Sequence, residues 1–551
     1  IKRDRPLRLF RETLPANGEA GWPRRYDLLI VDEAHNVAPS GRGQYAIDSL
    51  RTQCVRSIAP HFEHKLFLTA TPHNGYQESF TALLELLDNQ RFARGVTPDP
   101  RQVRAVMVRR MKSELREEGG PHFPERVLEA LPVEYSPAER RAHEALRDYT
   151  RLRLDGARGD EQFAAAFVLK LLKKRLFSSP AAFASPLARH RASIDLTRAR
   201  HGSAAPAPGL LRRMVDGVDE DYADDEAYED STADAAEGAT RLFRPLAGDE
   251  RALLDELTRW AEDAARRADS KAAMLIRWLR TLLKPDGKWN ERRVLIFTEY
   301  RATQRWLHSL LAAADLAGKE RLEVLYGGMD SDERERIKAA FQADPSLSRV
   351  RILLATDAAS EGIDLQNHCA HLVHYEIPWN PNRMEQRNGR LDRHGQRADR
   401  VLVYHFVGGR LADADSAAAP GDLDGDLEFL LRAARKVDAI REDLGNVGPV
   451  LAQQVEEAML GRRRTLDTRR AEEHAAPLRR QLAFERDMRQ RLARMAALLR
   501  SARGALDITP GQTRRIVDIA LELAQQPPLR ACDVPARDGR PATRGFMLPH
   551  L

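Results

Sequence analysis

The sequence predicts an α/β chain with two parallel-sheet lobes, the first incomplete, a helical insertion between them and a helical region after the second. Three observations predict it. Apolar strand-like runs alternate with helix-like segments in two blocks, residues 1–130 and 271–410, the cadence of doubly wound parallel sheets. The intervening and following stretches, 131–270 and 411–551, are mainly helical in pattern. A chain of 551 residues is also too long for one core, so three or four domains or subdomains are expected.

Composition narrows the class. An apolar fraction of 42% suffices for folding, and 31% charged residues imply many solvated helix faces. The net charge of +6 favours a polyanionic partner only mildly. Three cysteines, Cys54, Cys369 and Cys532, lie far apart, which argues against a disulfide framework or zinc site and fits a reducing cytoplasm. No run of eighteen apolar residues and no secretory signal is visible, so no membrane partner is expected. The chain begins at Ile1 rather than Met, which suggests a fragment, an alternative start codon or a trimmed chain.

Taken in order, YDLLIVDEAH and KLFLTATPHNG read as two buried strands, with a helix over 44–58 between them. The pattern turns helical from about Glu134. Ser136-Pro137 is a good helix start, and Ala164–Phe177 reads as an amphipathic or buried helix with a basic face. Residues 201–247 are rich in Ala, Gly, Pro and acids, and Asp216–Glu237 holds eleven carboxylates and no Lys or Arg. This run reads as a mobile acidic surface insertion, either a plain solvated linker or a regulatory segment mimicking DNA charge. RRVLIFTEY, RLEVLYGG, VRILLATD, HLVHYEI and VLVYHFV are five further strand candidates. After Gly409 a loop leads into Arg-rich helices and an irregular tail.

The chemistry sits at strand ends. In DEAH, Asp32 suits a magnesium-binding carboxylate, directly or through water, and Glu33 suits the group that orients an attacking water. His35 is placed to hydrogen-bond to the next strand end, where Thr69 and Thr71 offer short hydroxyls. In ATDAASEGIDLQ, Thr356 and Ser360 suit phosphate-backbone contacts, and Gly362 allows close backbone approach beside Asp364. Gln386, Arg390 and Arg393, spaced four and three apart, fall on one face of a helix. Arginine there suits the charge spread over a transferring phosphoryl group, which a lysine would not match as a planar fork.

Together, DEAH, TATPHNG, TDAASEGIDLQ and QRNGRLDRHGQ resemble motifs II, III, V and VI of superfamily 2 helicases, and the GR-x-DR-x-GQ form resembles the SNF2-like branch. RVLIFTEY is similar to motif IV, and VRRMKSEL followed by FPER to the segment leaving the first lobe. Bacterial members are the nearest likeness: the RNA-polymerase-associated SNF2-type ATPase and the SNF2-like helicase of the DISARM phage-defence system, the latter from the helical segment that begins DLEFLLRAARK.

The resemblance implies two RecA-like lobes and ATP hydrolysis with Mg2+ in the cleft between them, driving translocation on double-stranded DNA. It implies catalytic roles for Asp32, Glu33, Gln386, Arg390 and Arg393, and coupling roles for His35, Thr69, Thr71, Gly362 and Asp364. Nucleic-acid contacts are expected from Thr356, Ser360, Arg109, Lys112, Lys173 and Lys174, and from the Arg-rich C-terminal helices. Other defence-system or RNA polymerase subunits are the partners implied.

One departure matters. No G-x-x-x-x-G-K-[ST] loop is present, and the only Gly-Lys pairs, Gly287-Lys288 and Gly318-Lys319, lie on the wrong side of DEAH. The first lobe is therefore expected as its C-terminal half, with little ATPase activity in this chain alone. The alternatives are a non-catalytic DNA- or partner-binding subunit and an RNA-polymerase-recycling ATPase.

Overall fold

The structure, a computed structural model, describes residues 8, 10, 12–14, 24–38, 50–69, 77–108, 123–199, 224–360, 363–409, 421–439, 444–463, 465, 494–495, 498, 510–534 and 543–548. Two compact units are present, residues 1–474 and 475–551.

The larger unit opens with β1 (Tyr26–Val31), α1 (Leu50–Ile58), β2 (Phe62–Phe67) and α2 (Gln77–Leu87). The two strands pair in parallel, Tyr26 opposite Phe62. Leu29 packs with Ile58 and Ala59, and Phe10, Tyr26 and Phe62 stack on one another beside them. On the opposite side, Leu28, Ile30, Leu66 and Leu68 are all exposed among the described residues. The expectation of a sheet buried on both faces thus fails for this pair. The predicted helix over 44–58 is found from Leu50, and residues 39–49 lie outside the described set.

A helical module follows, formed by α3 (Pro137–Asp155), α4 (Gly159–Ser178), α5 (Pro180–Ala199), α6 (Asp225–Thr240) and α7 (Gly248–Ala264). The Ser-Pro start works as read. Ser136 caps α3 in a reciprocal capping box with Glu139, and Pro137 occupies the first turn. Its core joins Leu146, Tyr149, Val168, Phe183, Leu254 and Leu257. Ala235, Ala239 and Phe243 belong to the same core. The reading of 201–247 as a mobile insertion is therefore corrected from Asp224 onward: the acids of α6 line one side of a helix whose small residues are buried. Residues 201–223 lie outside the described set.

The second sheet is six-stranded and wholly parallel, in the order β3-β8-β7-β4-β6-β5. It is built from β3 (Glu125–Val133), β4 (Val294–Thr298), β5 (Leu322–Leu325), β6 (Ile352–Thr356), β7 (His371–His374) and β8 (Arg400–Gly408). The five strands expected in this block are all present. The sixth, β3, was not expected; it pairs along its whole length with β8, so the boundary between sheets falls before Glu125 rather than near 130. All residues of β4 and β6 are buried, as a parallel sheet covered on both faces requires. One face is covered by α8 (Ser270–Leu283) and α9 (Arg301–Ala313). The other is covered by α10 (Ser331–Gln342), with Ile337 and Phe341 inserted. Then come α11 (Pro381–Asn388), α12 (Leu423–Ala439) and α13 (Leu444–Met459).

The smaller unit contains α14 (Pro510–Leu523) and an antiparallel pair, β9 (Arg530–Val534) and β10 (Thr543–Met547), where the sequence read as an irregular tail. Among the described residues, no helix is long and apolar enough to cross a membrane.

Candidate nucleotide and nucleic-acid site

The first half-site is the tip of β1. The chain leaves the strand at Val31 and turns at once: Glu33 has φ 46° and ψ 49°, a left-handed conformation uncommon for a residue with a side chain. Two backbone bonds hold the turn against β2, Leu68 N–H to Val31 C=O at 2.8 Å and Ala34 N–H to Leu68 C=O at 2.9 Å. Asp32 and Glu33 are exposed. Asp32 Oδ1 accepts from the Glu33 amide at 2.9 Å. His35 Nδ1 lies 3.0 Å from Thr69 Oγ1 and 3.3 Å from the Glu33 carboxylate. The hydrogen bond expected between His35 and the following strand end is thus present. Thr71 lies outside the described residues.

The second half-site lies at the carboxyl ends of β6 and β7. Arg387 on α11 anchors it. Its buried guanidinium donates twice to Asp357, at 2.5 and 2.9 Å, from the residue just past β6. Burial alone would lower the Arg387 pKa, but Asp357 and Glu376 more than offset that and raise it. Arg387 was not singled out from the sequence, where it is one of several arginines in RMEQRNGRLDR.

The helical face expected to carry Gln386, Arg390 and Arg393 does not run that far. The helix ends at Asn388; Gly389 follows, and short turns such as Arg390 N–H to Arg387 C=O, 3.1 Å, carry the arginines. Gln386 is half-buried on the helix. Arg390 and Arg393 nevertheless converge, each with Nη1 3.4 Å from the Ile363 carbonyl. Arg390 is buried, whereas the Arg393 side chain retains 38% exposure and pairs with the exposed Asp364. Gly362, Arg109 and Lys112 lie outside the described residues, as does the side chain of Ser360.

The basic face of α4 turns inward. Lys173 donates to the Met459 carbonyl at 2.5 Å and pairs with Asp426 at 2.7 Å. Lys174 lies 3.4 Å from Glu299 and over the Trp379 ring. Burial would raise the Glu299 pKa, yet Lys174, Arg383 and Arg387 pull it down to about 2. Lys173 ties α4 to α12 and α13, and Lys174 ties it to the end of β4, so the expectation that they are presented to DNA is corrected. Thr356 is also buried; its hydroxyl donates to Asp225 at 2.8 Å.

A magnesium-bound triphosphate fits the first half-site in part. Asp32 and Glu33 supply hard, exposed oxygens, which suffice where phosphates complete the coordination. Among the described residues no three His, Cys, Asp or Glu side chains converge into a metal cage. A phosphate cradle is not found in this sequence. Gly287 ends a short turn after α8, and Gly318 lies in the turn before β5, so each Gly-Lys pair follows a helix and precedes a strand, the reverse of the strand–loop–helix order of a phosphate loop.

A family model for the helicase conserved C-terminal domain matches residues 273–395. A Bacillus subtilis (strain 168) protein, named an uncharacterized ATP-dependent helicase YqhH, is 25% identical over 404 residues, 69% of this chain. The RNA polymerase-associated protein RapA of Serratia proteamaculans (strain 568) is 24% identical over 395 residues, 70% of this chain. The matched region covers 56% of the first relative and 35% of the second.

Solved structures with a similar fold include the C-terminal part of the Fun30 ATPase domain (15% identity, 62% of this chain, 100% of that chain, TM-score 0.35). Another is the Sulfolobus solfataricus SWI2/SNF2 ATPase core in complex with dsDNA (15% identity, 83% of this chain, 74% of that chain, TM-score 0.34). At these scores the superpositions add nothing to the sheet topology. The chain is an α/β protein whose residues 273–395 match the helicase conserved C-terminal domain.

Proposed function

We propose that this chain supplies the acidic and arginine half-sites of a double-stranded-DNA-dependent ATPase that translocates on duplex. The observation that carries the reading is the turn after α11. Arg387 pins it to Asp357, and it holds Arg390 and Arg393 together at Ile363 while Arg393 stays accessible. ATP with Mg2+ supplies the leaving group and the charge to be neutralised. With both bound, Asp32 would hold the metal, Glu33 would orient a water and take its proton, and Arg390 and Arg393 would neutralise charge developing on the phosphoryl oxygens. The His35–Thr69 bond links the acidic tip to the neighbouring strand end, so a shift at either is felt at the other.

The reading of this chain as a non-catalytic partner subunit is favoured by one observation, the lack of a G-x-x-x-x-G-K-[ST] loop in its sequence. The ATPase reading and a DNA-binding subunit both predict duplex binding, and turnover in a polypeptide that joins this chain to a phosphate-binding loop separates them. Binding to short double-stranded DNA should weaken steeply with salt, log K falling with log salt at about −0.9 per phosphate contacted. Absence of duplex binding at low salt would reject both.

A further inference from the structure

The acid-rich run that composition marks as a solvated segment ends in a specific contact with the second sheet. Asp225, at the start of α6, is 6% exposed. Its Oδ2 accepts from the Gly327 amide at 2.8 Å and from the Thr356 hydroxyl at 2.8 Å. Those donors stand just past the carboxyl ends of the adjacent strands β5 and β6, where ligands bind in open α/β sheets. Asp224 lies over Gly328, which has φ +84°; a Cβ there would come within 2.9 Å of Asp224 Oδ1. Glu226 faces Arg305 at 3.9 Å, and the Arg301 guanidinium sits 3.4 Å above the Tyr326 ring. A main-chain N–H and a hydroxyl on one carboxylate oxygen, with the arginines at 301 and 305 on the neighbouring α9, form a donor set suited to a phosphodiester.

We infer that Asp224, Asp225 and Glu226 occupy a phosphodiester site on the second sheet as an internal competitor, and that duplex DNA displaces them. The inference rests on the DNA-binding reading above. A carboxylate is a fair stand-in for a phosphate oxygen pair. It reaches these donors across more than a hundred residues of sequence, which a solvated linker has no cause to do. The Thr356 role expected from the sequence is thereby kept but masked: the hydroxyl is present and already engaged. A competitor closed about nine times in ten lowers apparent affinity about tenfold.

The test compares three full chains by fluorescence anisotropy with a short labelled DNA duplex at fixed salt. These are the wild type, the variant D224N/D225N/E226Q and the control D230N/D234N/E237Q. The control makes the same charge change at exposed positions of the same helix. Asn at 224 preserves the helix cap, so α6 is expected to persist. The site variant should bind about tenfold more tightly than wild type, and the control within about twofold of it. Equal gains in variant and control overturn the inference and leave duplex binding intact. Binding by none of the three overturns the DNA reading and the inference with it. Hydrogen exchange on the wild type gives a second measure that needs no substitution: duplex should speed exchange in 225–240. Unchanged or slowed exchange there, with DNA bound, also overturns the inference.

Discussion

Arg126 is the residue whose removal should cost the second sheet most. It lies on β3, its side chain is 2% exposed, and it joins three elements. Its Nε and Nη2 donate to Asp392 Oδ2 at 3.1 and 2.6 Å, and its Nη1 reaches Glu385 and Asp438. Burial would lower the pKa of this guanidinium, but Glu385 and Asp392 raise it above the ordinary arginine value, so it stays charged. Asp392 is itself 1% exposed and lies one residue before Arg393. Arg126→Met therefore breaks a buried ion pair by removing one partner, which typically costs about 3–5 kcal/mol. For a cooperative unit of roughly 150–250 residues, each kcal/mol moves the midpoint about 2–4 °C, so a drop of about 6–20 °C is expected. Differential scanning calorimetry on wild type, Arg126→Met, Asp392→Asn and the double variant reads both loss and coupling. The double variant should lose less than the sum of the two single losses, because both singles remove the same Arg126–Asp392 pair. A drop under about 2 °C in Arg126→Met, or strictly additive losses, would refute the assignment.

Two further outcomes are expected. Burial holds His143, His190 and His405 neutral, with pKa about 3. Because the unfolded chain takes up protons from about pH 6.5 downward, stability is intact above that pH and is lost as pH falls toward 3. The loss is about 2 kcal/mol per histidine by pH 5, and a melting midpoint that is flat between pH 7 and 5 would contradict it. The purified 551-residue chain should hydrolyse ATP negligibly even with duplex present, since its sequence holds no phosphate-cradling loop; robust turnover would show that another segment cradles the phosphates.

What the sequence revealed follows from how local each signal is. The five strands of 292–407 carry short β-branched and aromatic runs between turn residues, and all five appear. β3 escaped because ERVLEALPV mixes charge and proline with its apolar residues; only pairing with β8, some 275 residues away, gives it a place. The acids of α6 read as solvent-exposed because composition cannot show that Asp225 meets donors at 327 and 356. Lys173 and Lys174 read as a basic face for the same reason, their carboxylate partners Asp426 and Glu299 being distant in sequence. The half-sites themselves were legible because each is a strand end or a turn with its chemistry packed into a few residues. Arg387 was not, because anchoring and reacting arginines look alike until one is seen buried and bidentate on a carboxylate.

The most direct test of the paired half-sites is DNA-stimulated ATP turnover in a polypeptide that joins this chain to a phosphate-binding loop. Arg393→Ala and Glu33→Gln would be measured beside the parent. Each should lower turnover by a factor on the order of 10³ while duplex binding is retained. Turnover within twofold of the parent for either variant would contradict the pairing of the β1 tip with the arginine turn.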